Sequence, residues 1–172
     1  MDLVDRINNT RFLGKEFLTW LWFKSDTNEG LIKLNGDETV ELWFDDKLVL
    51  AGVDAARDQN IIKTEAPTES AEAQTALLQR KKVSQAKLRI VAGQRAWSFT
   101  IAGDTLALSG VRIPAILTRE EDDQLQERLY LIEELNNYLL ALYRGFVELR
   151  LDKERWASEL TAMRAWVHET RD

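Results

Sequence analysis

The residue types that do chemistry most often are nearly absent from this chain. It contains no cysteine and one histidine, His168. Disulfides, thiolate metal sites and a cysteine nucleophile are therefore excluded, and a central imidazole base or metal ligand is missing. The eight glycines fall where turns need them; no glycine loop cradles a phosphate and no Gly-x-Ser-x-Gly elbow is present. The run Glu120-Glu121-Asp122-Asp123 concentrates carboxylates, yet a hard cation needs oxygens that converge from a loop or from separate elements. Four consecutive acids opening a helix point in four directions and complement the positive end of its dipole. Spacing selects no acid/base pair from the 29 acidic residues. The expectation is a non-enzymatic protein with no metal and no cofactor.

One constellation has content. From Ala73 to Gly103 there is no Asp or Glu, while Arg80, Lys81, Lys82, Lys87, Arg89 and Arg95 supply six positive charges. The whole chain carries −6, so the remainder carries −12. A local field of this kind is what a phosphate backbone or an acidic partner senses. Nothing near it reads as a base-recognition helix, so DNA binding through these six would be salt-dependent and indifferent to sequence. The same residues also make sense as a solvated sheet face that keeps a strand edge from aggregating. The residues alone leave both readings open.

The elements that must position these side chains follow from periodicity. Phe12 to Lys24 is a helix apolar nearly all round, which requires cover on more than one side. Leu31–Leu34 is a short strand, and Asn35-Gly36-Asp37 signals a hairpin. Thr39–Phe44 alternates, with Val40, Leu42 and Phe44 on one face and Glu41 and Trp43 on the other. Asp45-Asp46-Lys47 then reads as a turn into a third strand, Leu48–Ala51. Gly52 to Ser70 is a polar loop in which Asn60–Thr64 offers a further strand. A helix over 70–82 ends in Arg80-Lys81-Lys82. Three strands follow, Gln85–Ala92, Ala96–Ala102 and Thr105–Leu108. Leu88, Ile90, Trp97, Phe99 and Ile101 are inward, and Lys87 and Arg89 outward. Val111–Leu117 connects to the longest helix, for which Thr118-Arg119-Glu120-Glu121 reads as a capping box. After the break at Asp152-Lys153-Glu154, Trp156 to Val167 forms a last amphipathic helix.

The predicted fold class is therefore α+β: antiparallel sheet segments, an N-terminal apolar helix, and a long C-terminal helix followed by a short one. The division expected is a single α+β domain over 1–150 with a helical appendage over 151–172. The long helix repeats leucine at threes and fours for about seven turns. That stripe either covers the sheet or, as a 3.5-residue repeat, serves a partner helix. With the aromatic cluster of the first helix, it makes Trp20, Trp22, Phe23, Leu139 and Phe146 the candidate partner interface. No apolar run reaches the roughly 18 residues of a membrane span, and no signal peptide is read, so a cytoplasmic location without membrane contact is expected.

The order of elements resembles the C-terminal half of the RdgC family, bacterial recombination-associated proteins. The resembling features are Glu16-Phe17-Leu18-Thr19-Trp20 entering a strand pair, the polar loop and helix ending near Lys82, and Ala86-Lys87-Leu88-Arg89-Ile90. The hairpin through Trp97-Ser98-Phe99, Leu106–Leu108 and the acidic stretch before a leucine-rich helix complete the match, over about residues 12–149. The resemblance implies non-enzymatic, sequence-nonspecific binding of duplex DNA in recombination, in a ring-shaped assembly that restrains RecA-dependent strand exchange. It also implies association with the nucleoid. This chain departs from the family in lacking the N-terminal half, in its acidity, and in the helix from Trp156. A second protein chain supplying the missing half, or self-association, would accommodate the first departure. The alternative is a protein–protein scaffold or adaptor that docks an acidic partner through its basic sheet face.

Overall fold

The computed structural model describes residues 3–34, 36, 38–54 and 57–169, with side chains from residue 13 onward. The chain is α+β, as expected. Helix α1 (Leu3–Thr27) leads into strands β1 (Leu31–Lys33), β2 (Thr39–Ala51) and β3 (Gln59–Ile62). A short 3-10 turn, Pro67–Glu69, precedes helix α2 (Ala71–Leu78). Strands β4 (Lys82–Ala92), β5 (Arg95–Ala102) and β6 (Leu108–Arg112) follow, then helices α3 (Glu121–Leu151) and α4 (Lys153–His168). The six strands form one antiparallel sheet in the order β1-β2-β4-β5-β6, with β3 also on β2. The hairpin residues Asn35 and Asp37 lie outside the described residues; β1 and β2 pair on either side of them, Lys33 opposite Thr39.

Alternation builds the core. The inward residues line up in rows across β2, β4 and β5: Leu42–Ile90–Trp97, Phe44–Leu88–Phe99 and Leu48–Ala86–Ile101. Against this face lie α1 and α3, and α4 packs on those two helices. Phe17 and Trp20 of α1 each stand 5.5 Å from Phe146 of α3, Trp156 of α4 meets Phe146 edge-on at 5.9 Å, and Trp166 meets Trp22 edge-on at 5.3 Å. The near-continuous apolarity of α1 is thus satisfied, with sheet on one side and two helices on the other. Buried polar ties fix the layers. Thr19 Oγ1 accepts from the Val83 backbone N–H at 3.0 Å, and Trp97 Nε1 donates to the Leu131 carbonyl at 2.9 Å.

Several expected boundaries are corrected. Asp45-Asp46-Lys47 is no turn: β2 runs through it, because β4 pairs with it on both sides and a bulge between Phe44 and Leu48 absorbs the extra residues. The last strand is β6 at 108–112 rather than 105–108; Gly110 at φ +59 takes up a register shift opposite β5. Helix α2 ends four residues early, at Leu78. Thr118 is not a capping residue: α3 begins at Glu121, and its N-cap Glu120 makes no side-chain cap bond. Instead Glu127 reaches back past the start of the helix and accepts from the Leu117 and Thr118 backbone N–H groups and the Thr118 hydroxyl. Those bonds, the hydroxyl's foremost, hold the Glu127 carboxyl below its ordinary pKa. Nor is α4 an appendage. Asp152 caps it by accepting from the Arg155 N–H at 3.1 Å, and Trp156 and Trp166 are buried in the same core as the sheet.

Candidate functional site

The six cations do not converge. Lys81 pairs with Asp58 and donates to Asn60 Oδ1 at 2.8 Å. Lys82 bonds Glu16 of α1 at 3.0 Å, and Arg150 of α3 shares that carboxylate at 3.1 Å. Lys87 lies 2.9 Å from Asp46 and 3.4 Å from Asp45, the two acids that the β2 bulge swings toward it. The Asp46 hydrogen bond, with the nearby Asp45 charge, raises the Lys87 pKa. Arg95 shares the inward face with Trp97 and Phe99. It sits 5.9 Å from the Trp97 ring and 6.0 Å from the Tyr130 ring, with Nη1 2.7 Å from Glu134 Oε2, in a geometry that aims no N–H at that oxygen. Four of the six are thus matched by carboxylates on neighbouring elements. Arg80, beyond the end of α2, belongs to a different surface.

Arg89 remains on the uncovered face of the sheet. Its row crosses four strands: Trp43 of β2, Arg89 of β4, Ser98 of β5 and Arg112 of β6. Among the described residues neither Arg89 nor Arg112 has an ion pair, and both are exposed. Trp43 is 43% exposed, whereas the other five tryptophans are buried. Its ring lies over Gly30, where any Cβ would collide with it at 2.4 Å, and its Nε1 donates to Glu41 at 3.3 Å. Leu31, opposite Glu41 on β1, extends the exposed apolar surface next to Trp43. The row therefore presents two guanidinium forks about two strand spacings apart, roughly 10 Å, beside an aromatic plate. Such a surface can grip phosphates or carboxylates with bidentate hydrogen bonds and stack a flat group.

The sequence had placed Arg89 and Trp43 outward but missed Arg112, which fell in a stretch read as a connector. The signal was Gly110 two residues before it, a bulge mark inside a strand. The expected interface residues are corrected: Trp20, Trp22, Phe23 and Phe146 are buried in the chain's own core, and Leu139 is half-buried against it. Trp20 Nε1 donates to Glu159 at 2.8 Å and Trp166 Nε1 to Asp26, so α4 fills the place assigned to a partner. The surplus apolar surface lies elsewhere. At the start of α3, Leu125, Leu129 and Ile132 are 61%, 58% and 43% exposed, in a stripe that continues through Asn136 to Leu140.

Among the described residues no group of three or more His, Cys, Asp or Glu side chains is arranged to hold a metal ion, and no helix is long and apolar enough to cross a membrane. The acidic run at 120–123 is exposed around the start of α3. No protein-family model matches the chain, and no curated protein does.

Proposed function

We propose that this chain is a non-catalytic binding protein that holds duplex DNA without sequence preference, as one subunit of an RdgC-like recombination assembly. The observation that carries the reading is the Trp43–Arg89–Ser98–Arg112 row on the uncovered sheet face. Among the described residues neither arginine has an ion pair, so both are available to phosphates, and nothing in the row reads base edges. The contact set is smaller than the sequence suggested: Lys81, Lys82, Lys87 and Arg95 are engaged within the fold, and Arg112 joins Arg89. Assembly runs through the leucine stripe at the start of α3 in place of Trp20, Trp22, Phe23 and Phe146.

A second reading, a protein–protein adaptor whose Arg89–Arg112 face docks an acidic partner, has its own support in Leu31 and Trp43, which make that face partly apolar. One experiment separates the two. Fluorescence anisotropy of a labelled duplex, from low to physiological salt, is measured for the wild type, Arg89→Glu/Arg112→Glu, and Lys81→Ala/Lys87→Ala. DNA binding predicts steep salt dependence, loss in the arginine double variant with a log–log salt slope shallower by about 2, and little change in the lysine variant. Absence of binding by the wild type at low salt, or equal binding by the arginine double variant, defeats the DNA reading and leaves the adaptor.

A further inference from the structure

A separate surface lies at the opposite end of the basic stretch, between the end of α2 and the last turns of α4. There an open groove of about 560 Å³ has an apolar floor that includes Leu77, Leu160 and Met163, and a rim of Arg80, Arg164 and His168. That volume is within the roughly 300–1,000 Å³ of ligand clefts. Among the described residues no carboxylate lines it, in a chain whose net charge is −6. Among the described residues neither Arg80 nor Arg164 has an ion pair, unlike Lys81 and Lys82 beside them. On α4 the residues Leu160, Met163, Arg164, Val167 and His168 share one face by their spacing of threes and fours.

Arg80 adds a second argument. Helix α2 closes with paired bonds, Arg80 N–H to the Leu77 carbonyl at 2.9 Å and Lys81 N–H to the Ala76 carbonyl at 3.0 Å. This closure requires a left-handed residue at position 80, and Arg80 sits there at φ +64. Glycine adopts that conformation without steric cost and is the usual occupant. The fold thus tolerates an arginine at a glycine's place, and the side chain it keeps there lines the groove.

We infer that the groove docks a short acidic peptide segment of a partner protein, with one or two large apolar side chains flanked by aspartates or glutamates. Charge complementarity selects this occupant. A basic segment would face the like charges of Arg80 and Arg164, and a purely polar one would leave the apolar floor wet. The guanidinium forks of Arg80 and Arg164 match carboxylates in bidentate geometry, and the floor takes the apolar side chain.

The test uses a fluorescein-labelled decapeptide with two leucines set among aspartates. One control replaces both leucines by serine, and a second replaces the aspartates by lysine. Binding is read by anisotropy at physiological salt for the full chain, Arg80→Gly and Arg164→Glu, with thermal melts of each. The expected result is binding of the leucine–aspartate peptide alone and a loss of about tenfold or more in each variant. Arg80→Gly should at the same time melt no lower than the wild type, so its loss of binding is not a loss of fold. The inference is overturned if the serine control binds as well, if either variant binds as the wild type does, or if an unlabelled DNA duplex competes as effectively as the peptide. The Arg80 and Arg164 variants leave Arg89 and Arg112 in place, so wild-type binding by those variants overturns the groove and leaves the sheet-face reading standing, while loss of DNA binding in Arg89→Glu/Arg112→Glu leaves the groove.

Discussion

The two faces of one sheet have opposite fates although the same strands build both. On the inward face, Ile90 and Trp97 sit opposite one another with nothing exposed; one residue along, on the outward face, Arg89 and Ser98 face solvent. Cations follow the same division. Arg95, inward with Trp97, is paired with Glu134 of α3, while Arg89, outward, stands between Trp43 and Ser98 in the sheet and has no ion pair among the described residues. Lys87 shows that outwardness is not sufficient for freedom, since a bulge in β2 brings two aspartates to it. A cation is available for binding only where both alternation and the neighbouring strand leave it unmatched.

The largest expected effect tests this contrast by stability. Trp97→Ala should cost about 3–5 kcal/mol in urea unfolding, because it empties a fully buried site and removes the indole hydrogen bond to the Leu131 carbonyl. Trp43→Ala, the same change on the outward face, should cost about 1 kcal/mol or less. Equal costs would mean that the outward face is covered after all.

Helix α3 repeats the contrast along its own length. Around Phe146 its second half is packed against α1 and α4, while its first half leaves Leu125 and Leu129 exposed. Leu125→Glu/Leu129→Glu should shift stability by no more than about 0.5 kcal/mol per site. If the stripe is the assembly surface, light scattering should find the wild type associated and the double variant monomeric. A wild type that stays monomeric at high concentration removes this surface from the assembly proposal.

The smallest effect concerns Lys87. Its pKa is raised in the folded state, so its contribution is complete below the ordinary 10.5 and fades as pH climbs through the higher folded value. Lys87→Gln should therefore destabilise the protein at neutral pH, by under about 1 kcal/mol for so exposed a pair, with the difference vanishing at strongly alkaline pH. The phenol of Tyr138, pushed up to about 12 chiefly by burial and then by Glu134, titrates in the same alkaline window, so the comparison needs a Tyr138→Phe background. A difference that persists unchanged above that window would mean that Asp45 and Asp46 are not what Lys87 contributes to.

Periodicity made the strands legible where alternation was clean. In β4 and β5 the inward and outward sets were read as they stand, because a half-buried strand allows only one choice of face. The apolar girth of α1 likewise announced cover on two sides. Composition misled wherever polar residues stood inside an element. Asp45-Asp46-Lys47 has the content of a turn but lies in a strand held by pairing from β4. Thr118 has the look of a capping residue, but Glu127 binds it first. In the candidate site, Arg89 and Trp43 could be placed from sequence; Arg112 could not, because its strand is short and interrupted at Gly110.

The sequence by itself determined the α+β class, the absence of thiol chemistry, the buried face of the sheet and the location of the acid-free basic stretch. Each of these depends on residue type or on local period, which the chain carries wherever it goes. Only the tertiary structure decided which cations are free. Asp58, Glu16, Asp45, Asp46 and Glu134 come from other parts of the chain, from 23 residues away for Lys81 to 66 for Lys82. An ion pair is a matter of ångströms, and sequence distance says nothing about those.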